Sequence, residues 1–274
     1  MKKYVLFAQE LSNRYGMVKR ARGSFLYTQK GVRLTDLFLE NGRAILGWGS
    51  DNSSSLTVFK NVLNRGISGF FNTDFSFVSV KNSKTPLSKS SGELFESKRI
   101  SFIFNSKEKA LKNAITVSPS STSVYKPWLE KNIDWSSVDS IVFVPPFAWC
   151  ENYWILSCKE ELLTPELLQK LSSDSAKTPA PLEAAFVRSI YDLKKELPLR
   201  EEKNFFLYDK VLTKYFERKG PYLFPKIAEE KYWNFVLHCL DCGIVINPNF
   251  NEPSIIPFGA DFGVFRKLEK NPFN

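Results

Sequence analysis

The chain is poor in the residues on which metal, disulfide and histidine chemistry depend. Its 274 residues include one histidine, four cysteines and two methionines. The single histidine, His238, leaves a Ser–His–Asp type of triad only one candidate base. Four cysteines are too few for a disulfide framework in a chain of this length. The sequence also carries no P-loop, dinucleotide-binding fingerprint or nucleophile elbow. Short motifs therefore give no catalytic or nucleotide-binding site.

Long apolar runs are absent as well. No run approaches the roughly 20 residues that a membrane-spanning helix needs, so we expect no membrane segment. Residues 1–8 imitate a signal peptide, but their apolar stretch ends after five residues, whereas a signal peptide has about 7 to 15. Hydrophobic residues make up 43% of the chain and charged residues 24%, which is ordinary for a soluble globular protein. We therefore expect a folded cytoplasmic protein.

Positive charge exceeds negative charge, with 38 Lys and Arg against 29 Asp and Glu and a net charge of +9. Such a balance can attract nucleic acid or anionic surfaces. The basic residues are nevertheless scattered, and clusters such as Lys19–Arg22 are short. We therefore interpret the charge as a solvated surface and do not expect nucleic acid as a partner. A basic nucleic-acid-binding protein is kept as an alternative hypothesis.

Two groups of residues imitate binding sites. His238, Cys239 and Cys242 are close in sequence, but Cys150 and Cys158 lack the paired spacing of a four-ligand zinc site. Cys239 falls on the apolar face of a predicted helix and His238 off it, so we predict core packing and no metal site. A second group could form a stacking platform: Trp128, Trp135, Trp149 and Trp154, with Lys126 and Lys131. Packing in the core or at a dimer interface is the simpler interpretation.

Apolar spacing and turn residues predict a mixture of strands and helices. Short strands and turns are expected over residues 23–46, and the expected buried strands are 100–104, 138–144 and 153–157. Helices are expected to begin at Ser53 or Ser54, at Asn105–Ser106 and at Thr164–Pro165, where capping residues stand. Two stretches, 72–97 and 117–127, are predicted to be loops because they are polar and rich in serine.

The final hundred residues are predicted to be mostly helical. One apolar face includes Phe186, a second includes Tyr208 and ends at Gly220, and a third includes Phe235 and ends at Gly243. A strand is expected to begin directly after that glycine. The order of the elements indicates a small α/β sheet with an α+β lobe.

Several segments, in the same order along the chain, resemble one enzyme family. Ile103–Ile115 aligns without a gap on the pattern FxNSGTEAxxNAI. Gly23–Tyr27 and Gly31–Leu37 resemble the opening pattern GxYLYDxDGxRYxD. Pro179–Ala185 resembles GNPLAxAA, and Gly243–Pro248 resembles GVYLxPS. Together these segments resemble the class III aminotransferases, the pyridoxal-phosphate enzymes of fold type I that include glutamate-1-semialdehyde aminomutase.

The resemblance implies a shortened α/β protein and a homodimer. It implies a reduced fold type I sheet with helices over residues 53–195, and a small α+β lobe built from residues 1–52 and 196–274. The sheet is expected to lack the family's central strands, because the stretch between Ile115 and Val138 reads as a short loop. That stretch would otherwise carry the aspartate that binds the pyridine nitrogen.

Two further supports of the cofactor are altered at the positions that the resemblance indicates. The strand that should lead to the Schiff-base lysine is followed by Val144 and Pro145, and neither side chain carries an amine. The phosphate cradle after Ser106 has Lys107 and Glu108 where the family has Gly and Thr. A carboxylate there repels a phosphate dianion. We therefore expect pyridoxal phosphate to be lost and the cradle to be degenerate.

These observations lead to one main hypothesis and one enzymatic alternative. The main hypothesis is a catalytically degenerate, aminotransferase-like homodimer that acts by binding a small anionic ligand or a protein partner. The alternative is a residual pyridoxal-phosphate-dependent transaminase or aminomutase with a relocated lysine, either Lys159 or Lys177. Both lysines are otherwise expected to be solvated surface residues.

Overall fold

The computed structural model describes residues 2–49, 53–66, 85–129 and 132–274 of the chain. The chain divides into two compact units. Unit 1 combines residues 1–52 with residues 198–274, and unit 2 comprises residues 53–197. Within the described residues, no helix combines the length and the apolar character that crossing a bilayer requires.

The N-terminal part of unit 1 is a helix followed by three short strands. The helix α1 spans Lys2–Tyr15, and the strands are β1 (Val18–Arg22), β2 (Phe25–Thr28) and β3 (Arg33–Asp36). Both strand pairs are antiparallel. The turn before β3 contains Gly31 at φ +77°, a conformation that favours glycine. The strands and turns predicted over residues 23–46 are therefore confirmed.

Unit 2 begins with two helices, of which one was not predicted. The helix α2 spans Ser55–Leu63 and starts where predicted, after Ser54. The helix α3 spans Pro86–Leu94. The prediction of a loop over 72–97 is therefore wrong for this part, because Thr85 caps the helix by accepting the Ser88 N–H at 3.1 Å. Residues 72–84 of that predicted loop lie outside the described residues.

The sheet of unit 2 has four strands and one helix between the first two. In chain order, β4 spans Arg99–Phe104, α4 Lys107–Val117, β5 Thr122–Tyr125, β6 Ser140–Phe143 and β7 Trp154–Lys159. The strand order is β4-β7-β6-β5. The strands predicted over 100–104, 138–144 and 153–157 are confirmed. The prediction of a loop over 117–127 is wrong at β5, which pairs in parallel with β6.

One hydrophobic core joins this sheet to α4. Phe102 and Phe104 of β4 pack with Val142 and Leu156 against Ala114 of the helix, and each is almost completely buried. Burying such a side chain fully stabilises a fold by roughly 1.5 to 3 kcal/mol. All six residues of β4 are buried. The core therefore fixes α4 and its first residue against one face of the sheet.

Two further helices follow in the part of unit 2 that the structure describes. The helix α5 spans Pro165–Asp174, and Thr164 caps it by accepting the Leu167 N–H at 3.3 Å. The helix α6 spans Ala180–Glu196 and packs against α2 through a small cluster that includes Val62, Ala180 and Ala184. The apolar face predicted through Phe186 is buried.

The C-terminal part of unit 1 is less helical than predicted. Its elements are α7 (Glu202–Phe205), α8 (Asp209–Leu212), β8 (Phe216–Lys219), β9 (Tyr222–Pro225), α9 (Glu229–Asp241), β10 (Ile244–Val245), β11 (Ser254–Ile255) and α10 (Arg266–Lys270). The helix predicted to end at Gly220 is confirmed only over residues 202–212, which form short α and 3-10 turns, and is wrong from there to Gly220. Gly220, at φ +54°, instead turns the chain between the antiparallel strands β8 and β9. The helix before Gly243 and the strand after it are confirmed.

The two chain ends meet in one sheet of unit 1. Its strand order is β1-β2-β3-β10, and β10 lies parallel to β3 with Ile244 opposite Thr35. The phenol of Tyr15 at the end of α1 donates to the carbonyl of Leu240 at 2.6 Å. The outer edge of β3 therefore takes its pairing partner from the C-terminal segment, whereas β1 and β2 pair within the N-terminal segment.

Candidate functional site

The ends of three strands define the candidate site of unit 2. Strands β4 and β6 are each antiparallel to β7, and β5 is parallel to β6, so these three strands run in the same direction. Ligands of open α/β sheets bind outside the carboxyl ends of the strands. We call this boundary the carboxyl edge. It consists of the residues that follow the three strands and those at the start of β7: Ser106, Lys107, Glu108, Lys126, Val144, Pro145 and Trp154.

The first turn of α4 supplies polar groups to the carboxyl edge. Ser106 is the N-cap and accepts the Lys109 N–H at 3.2 Å. The ammonium of Lys107 lies 5.5 Å from the centre of the Trp154 ring. Glu108 is exposed, whereas Ser106 and Lys107 are half-buried. The N–H groups of a first helical turn and a lysine attract an anion, but the Glu108 carboxylate weakens that attraction.

The end of β6 offers no amine to the carboxyl edge. Val144 is half-buried, and Pro145 is buried. The Phe147 N–H donates to the Pro145 carbonyl at 2.7 Å, so the chain turns at this point. Neither side chain can form an imine with an aldehyde.

The strand β5 occupies the stretch that was predicted to be a short loop without a strand. That prediction is wrong, because residues 122–125 pair with 140–143 over four positions. Their side chains are Thr, Ser, Val and Tyr, so the strand carries no carboxylate. Tyr125 is buried against Phe95 and Trp135 at centroid distances of 5.1 and 4.9 Å. Its burial raises the pKa of the phenol.

The two candidate replacement lysines do not lie at the carboxyl edge. Lys159 is at the other end of the sheet, since Cys158 before it pairs with Ser140, the first residue of β6. Its ammonium lies 3.1 Å from Asp139 Oδ1 and donates to the Ser137 carbonyl at 2.9 Å. Lys177 is exposed between α5 and α6.

The residues at the carboxyl edge do not fit pyridoxal phosphate. An imine-forming lysine after β6 and an acid on β5 are both missing, and Glu108 stands in the first turn of α4. Glu130, which lies in the stretch between Ile115 and Val138, is outside the described residues. We therefore derive no reaction step through this cofactor.

A buried carboxylate in unit 2 was missed by the sequence analysis. Glu183, in the first turn of α6, is 8% exposed, and its side chain has no hydrogen bond or ion pair with a described residue. Burial raises the pKa of its carboxyl to about 8. Phe186, one turn later, packs against Phe147 and Tyr153 at centroid distances of 6.2 and 5.7 Å. The signal in the sequence is a glutamate within a run of apolar helix positions.

The other groups considered in the sequence do not come together as one site. Trp135 packs with Phe95 and Tyr125, whereas Trp149 packs with Phe59 and Phe147. The Nε1–H of Trp128 donates to the Leu197 carbonyl at 3.1 Å. Lys131 lies outside the described residues.

The histidine and three of the cysteines pack within the fold, whereas Cys150 is exposed. The His238 Nε2 atom lies 2.8 Å from the Asn271 carbonyl oxygen, and the ring packs against Phe273. Cys239 is completely buried, and its burial raises the pKa of the thiol. All four cysteines are free thiols. In the part of the chain that the structure describes, no three His, Cys, Asp or Glu side chains are grouped as metal ligands would be.

Comparison with known proteins identifies the fold. Acetylornithine aminotransferase from Elizabethkingia anophelis superposes with a TM-score of 0.65 at 11% identity, over 96% of this chain and 97% of that chain. Ornithine aminotransferase from Plasmodium yoelii gives 0.63 at 11% identity, over 92% and 91%. Glutamate-1-semialdehyde aminomutase from Pseudomonas aeruginosa PAO1 gives 0.60 at 10% identity, over 98% and 96%. The chain therefore has the α/β fold of pyridoxal-phosphate-dependent aminotransferases, fold type I, as predicted.

Sequence comparison is less specific. An uncharacterised protein of Treponema pallidum (strain Nichols) is 25% identical over an alignment that covers 92% of this chain and 92% of that protein. No protein-family model matches the chain. These two sequence comparisons therefore add no activity to the similarity in fold.

Proposed function

We propose that the chain is a catalytically degenerate relative of the aminotransferases that acts by binding and not by pyridoxal-phosphate chemistry. The observation that carries this proposal is the end of β6, where Val144 and Pro145 stand at the place that the resemblance assigns to the Schiff-base lysine. Without an amine there, the protein cannot hold the cofactor covalently in the ancestral way.

The electrostatics of the carboxyl edge support the same proposal. A phosphate dianion at the start of α4 would lie beside the Glu108 carboxylate, and like charges at short distance disfavour each other. The four residues of β5 offer no acid that could keep a pyridine nitrogen protonated. Lys159, one of the two candidate replacement lysines, forms an ion pair with Asp139 at the opposite end of the sheet.

The ligand that we propose for the carboxyl edge is a small anion with a flat or apolar part. The Lys107 ammonium and the first N–H groups of α4 supply positive charge, and the half-buried Trp154 ring beside them supplies a surface for apolar contact. A monoanion fits these groups better than a dianion, because the nearby Glu108 carboxylate repels negative charge. A protein partner is the other binding role that we retain for this fold.

The experiment that tests the proposal is incubation of the purified full-length protein with pyridoxal phosphate. We expect no Schiff-base absorbance band after gel filtration and no lysine labelled by borohydride reduction. Lys159→Ala and Lys177→Ala test the enzymatic alternative, which requires that one of them abolishes cofactor retention. A retained band with a labelled lysine in the unmodified protein would overturn the proposal.

We also propose that the protein is a homodimer in the cytoplasm. The dimer is supported by the resemblance to a dimeric family, and the location by the composition described above. Size-exclusion chromatography with light scattering should give twice the mass of one chain. A mass of one chain at micromolar concentration contradicts the dimer but leaves the proposal about the cofactor unaffected.

A further inference from the structure

One face of the N-terminal sheet in unit 1 combines arginines with aromatic rings. Arg20 of β1 lies opposite Tyr27 of β2, which lies opposite Arg33 of β3, and Arg22 lies opposite Phe25. Side chains that are directly opposite in neighbouring strands lie on the same face of a sheet. The five residues named here therefore share one face, which we call the basic sheet face.

The five residues of the basic sheet face are turned away from the core of unit 1, whereas Thr35, which lies opposite Phe25 on the same face, is buried. On the other face, Ala21, Leu26 and Leu34 lie opposite one another, and Leu34 is completely buried. On the basic sheet face the three arginines are exposed and the two rings are half-buried. Solvent-facing sheet positions are usually polar, so two aromatic rings there are unusual.

Two of the three arginines lie over the rings, and none of the three has an anionic partner among the described residues. The guanidinium carbon of Arg33 is 4.5 Å from the centre of the Phe25 ring, and that of Arg20 is 5.4 Å from the centre of the Tyr27 ring. None of the three arginines forms an ion pair or a hydrogen bond with a described residue. From residue 11 to residue 35 the sequence contains no Asp or Glu. The positive charge of this face is therefore uncompensated by its own strands.

Half-exposed rings between unpaired guanidinium groups have the chemistry that recognises a single nucleic-acid strand. Such strands bind through phosphate contacts to basic side chains and through bases that stack on aromatic rings. Phe25 and Tyr27 are two residues apart on one strand, which is about 6.8 Å. That spacing is about twice the 3.4 Å rise between stacked bases, so it suits an extended strand. A duplex keeps its base faces inside the stack and offers none to a ring.

We propose that the basic sheet face binds single-stranded nucleic acid. Bases stack on Phe25 and Tyr27, and the phosphates pair with the three arginines. The sequence alone indicated only a short basic cluster on a solvated surface, because the strand register that adds Arg33 and the two rings was not known. This binding goes beyond the proposed function at the carboxyl edge of unit 2 and does not depend on it.

The test is fluorescence anisotropy of the full-length protein with labelled twelve-nucleotide oligouridylate and oligothymidylate at 50 to 300 mM salt. The charge variant carries three substitutions: R20Q, R22Q and R33Q. A matched control removes the same charge from three other exposed residues of unit 1: K231Q, R266Q and K270Q. We expect the charge variant to bind about tenfold or more weakly at low salt and to reduce the salt slope by about 2, since each phosphate contact contributes about 0.7. The control should bind like the unmodified protein.

The rings are tested separately with Phe25→Leu and Tyr27→Leu, which keep apolar volume but remove stacking. Each should weaken single-strand binding about fivefold or more with little change in the salt slope. A duplex of the same length and poly-glutamate should compete poorly. Failure to bind either oligonucleotide at 50 mM salt overturns the proposal. Equal losses in the charge variant and its control, or equal competition by poly-glutamate, also overturn it, because charge alone then explains the binding. Circular dichroism of each variant checks that it is folded.

Discussion

The ammonium of Lys159 lies 3.1 Å from the Oδ1 atom of Asp139, at the end of the sheet opposite to Val144. Both side chains are about three-quarters buried or more, and Asp139 also accepts the Ser118 hydroxyl at 3.0 Å. A partly buried pair of this kind stabilises a fold by about 1 kcal/mol. Lys159 therefore has a structural role that does not require a cofactor.

Lys159→Met should lower the free energy of unfolding by about 1 kcal/mol, because the pair with Asp139 is lost. Lys177→Met is the matched control and should have no measurable effect, since Lys177 is exposed. Urea denaturation followed by tryptophan fluorescence measures both. Equal stability of the two variants would contradict a structural role for Lys159.

Glu183→Gln should change how stability depends on pH. Burial raises the pKa of Glu183 in the folded protein to about 8 from an ordinary value of 4.5. Between these values the unfolded chain releases the proton and the folded chain keeps it, so the unmodified protein loses stability as pH rises, by about 1.4 kcal/mol per pH unit. Glutamine removes this loss. The variant should therefore gain relative to the unmodified protein in urea titrations from pH 5 to pH 8. Parallel profiles would show that Glu183 ionises normally.

Asp36→Asn should destabilise unit 1 by about 1 to 3 kcal/mol. Asp36 is buried and accepts the N–H groups of Phe38 and Leu39 at 2.9 and 3.0 Å and the Nε1–H of Trp48 at 2.8 Å. An amide group cannot accept at both ends. In the Asp36→Asn background, Trp48→Phe should cost less than it does alone, because the bond to Trp48 is already lost. Additive losses in thermal unfolding of the double variant would contradict this coupling.

Ser106→Ala should cost about 1 kcal/mol, because the Lys109 N–H loses its acceptor at the start of α4. Ser54→Ala provides the matched control, since Ser54 precedes α2 but its side chain makes no capping bond. We expect the control to change stability by only a few tenths of a kcal/mol. A similar loss at both positions would argue that the Ser106 cap does not stabilise α4.

Local signals in the sequence predicted many of the elements. The apolar run from residue 100 to 104 and the cap at Ser106 lie together, so a strand followed by a helix could be predicted without knowing the fold. Thr164 with Pro165 predicted a helix start for the same reason. The equivalent pair Thr85 and Pro86 was overlooked because serines follow it.

The helix α3 was not predicted because one of its serines is stabilised by a hydrogen-bond partner that is distant in sequence. Burying a serine-rich helix costs less free energy when its hydroxyl groups find partners, and Ser88 accepts the N–H of Ser101 at 3.0 Å. The hairpin at Gly220 was missed for a related reason. Phe205, Tyr208 and Tyr215 continue an apolar spacing that fits a helix, whereas the pairing of β8 with β9, and of β9 with β11, shows that the next segment is extended.

The side chains that meet at the carboxyl edge and on the basic sheet face are determined mainly by the pairing between strands. The cap at Ser106 could be predicted, but the position of Lys107 over Trp154 follows from the pairing of β4 with β7. The alignment of Arg20, Tyr27 and Arg33 follows from two hairpin registers that apolar spacing does not determine.

The bond between Tyr15 and Leu240 joins residues that are 225 positions apart. During translation, residues 53–197 can fold as soon as they leave the ribosome, because unit 2 is continuous in sequence. The strands β1 to β3 are synthesised long before β10, so the backbone of β3 has no strand partner on one side until β10 emerges. Nascent chains of this protein should therefore depend on chaperones mainly through their N-terminal segment.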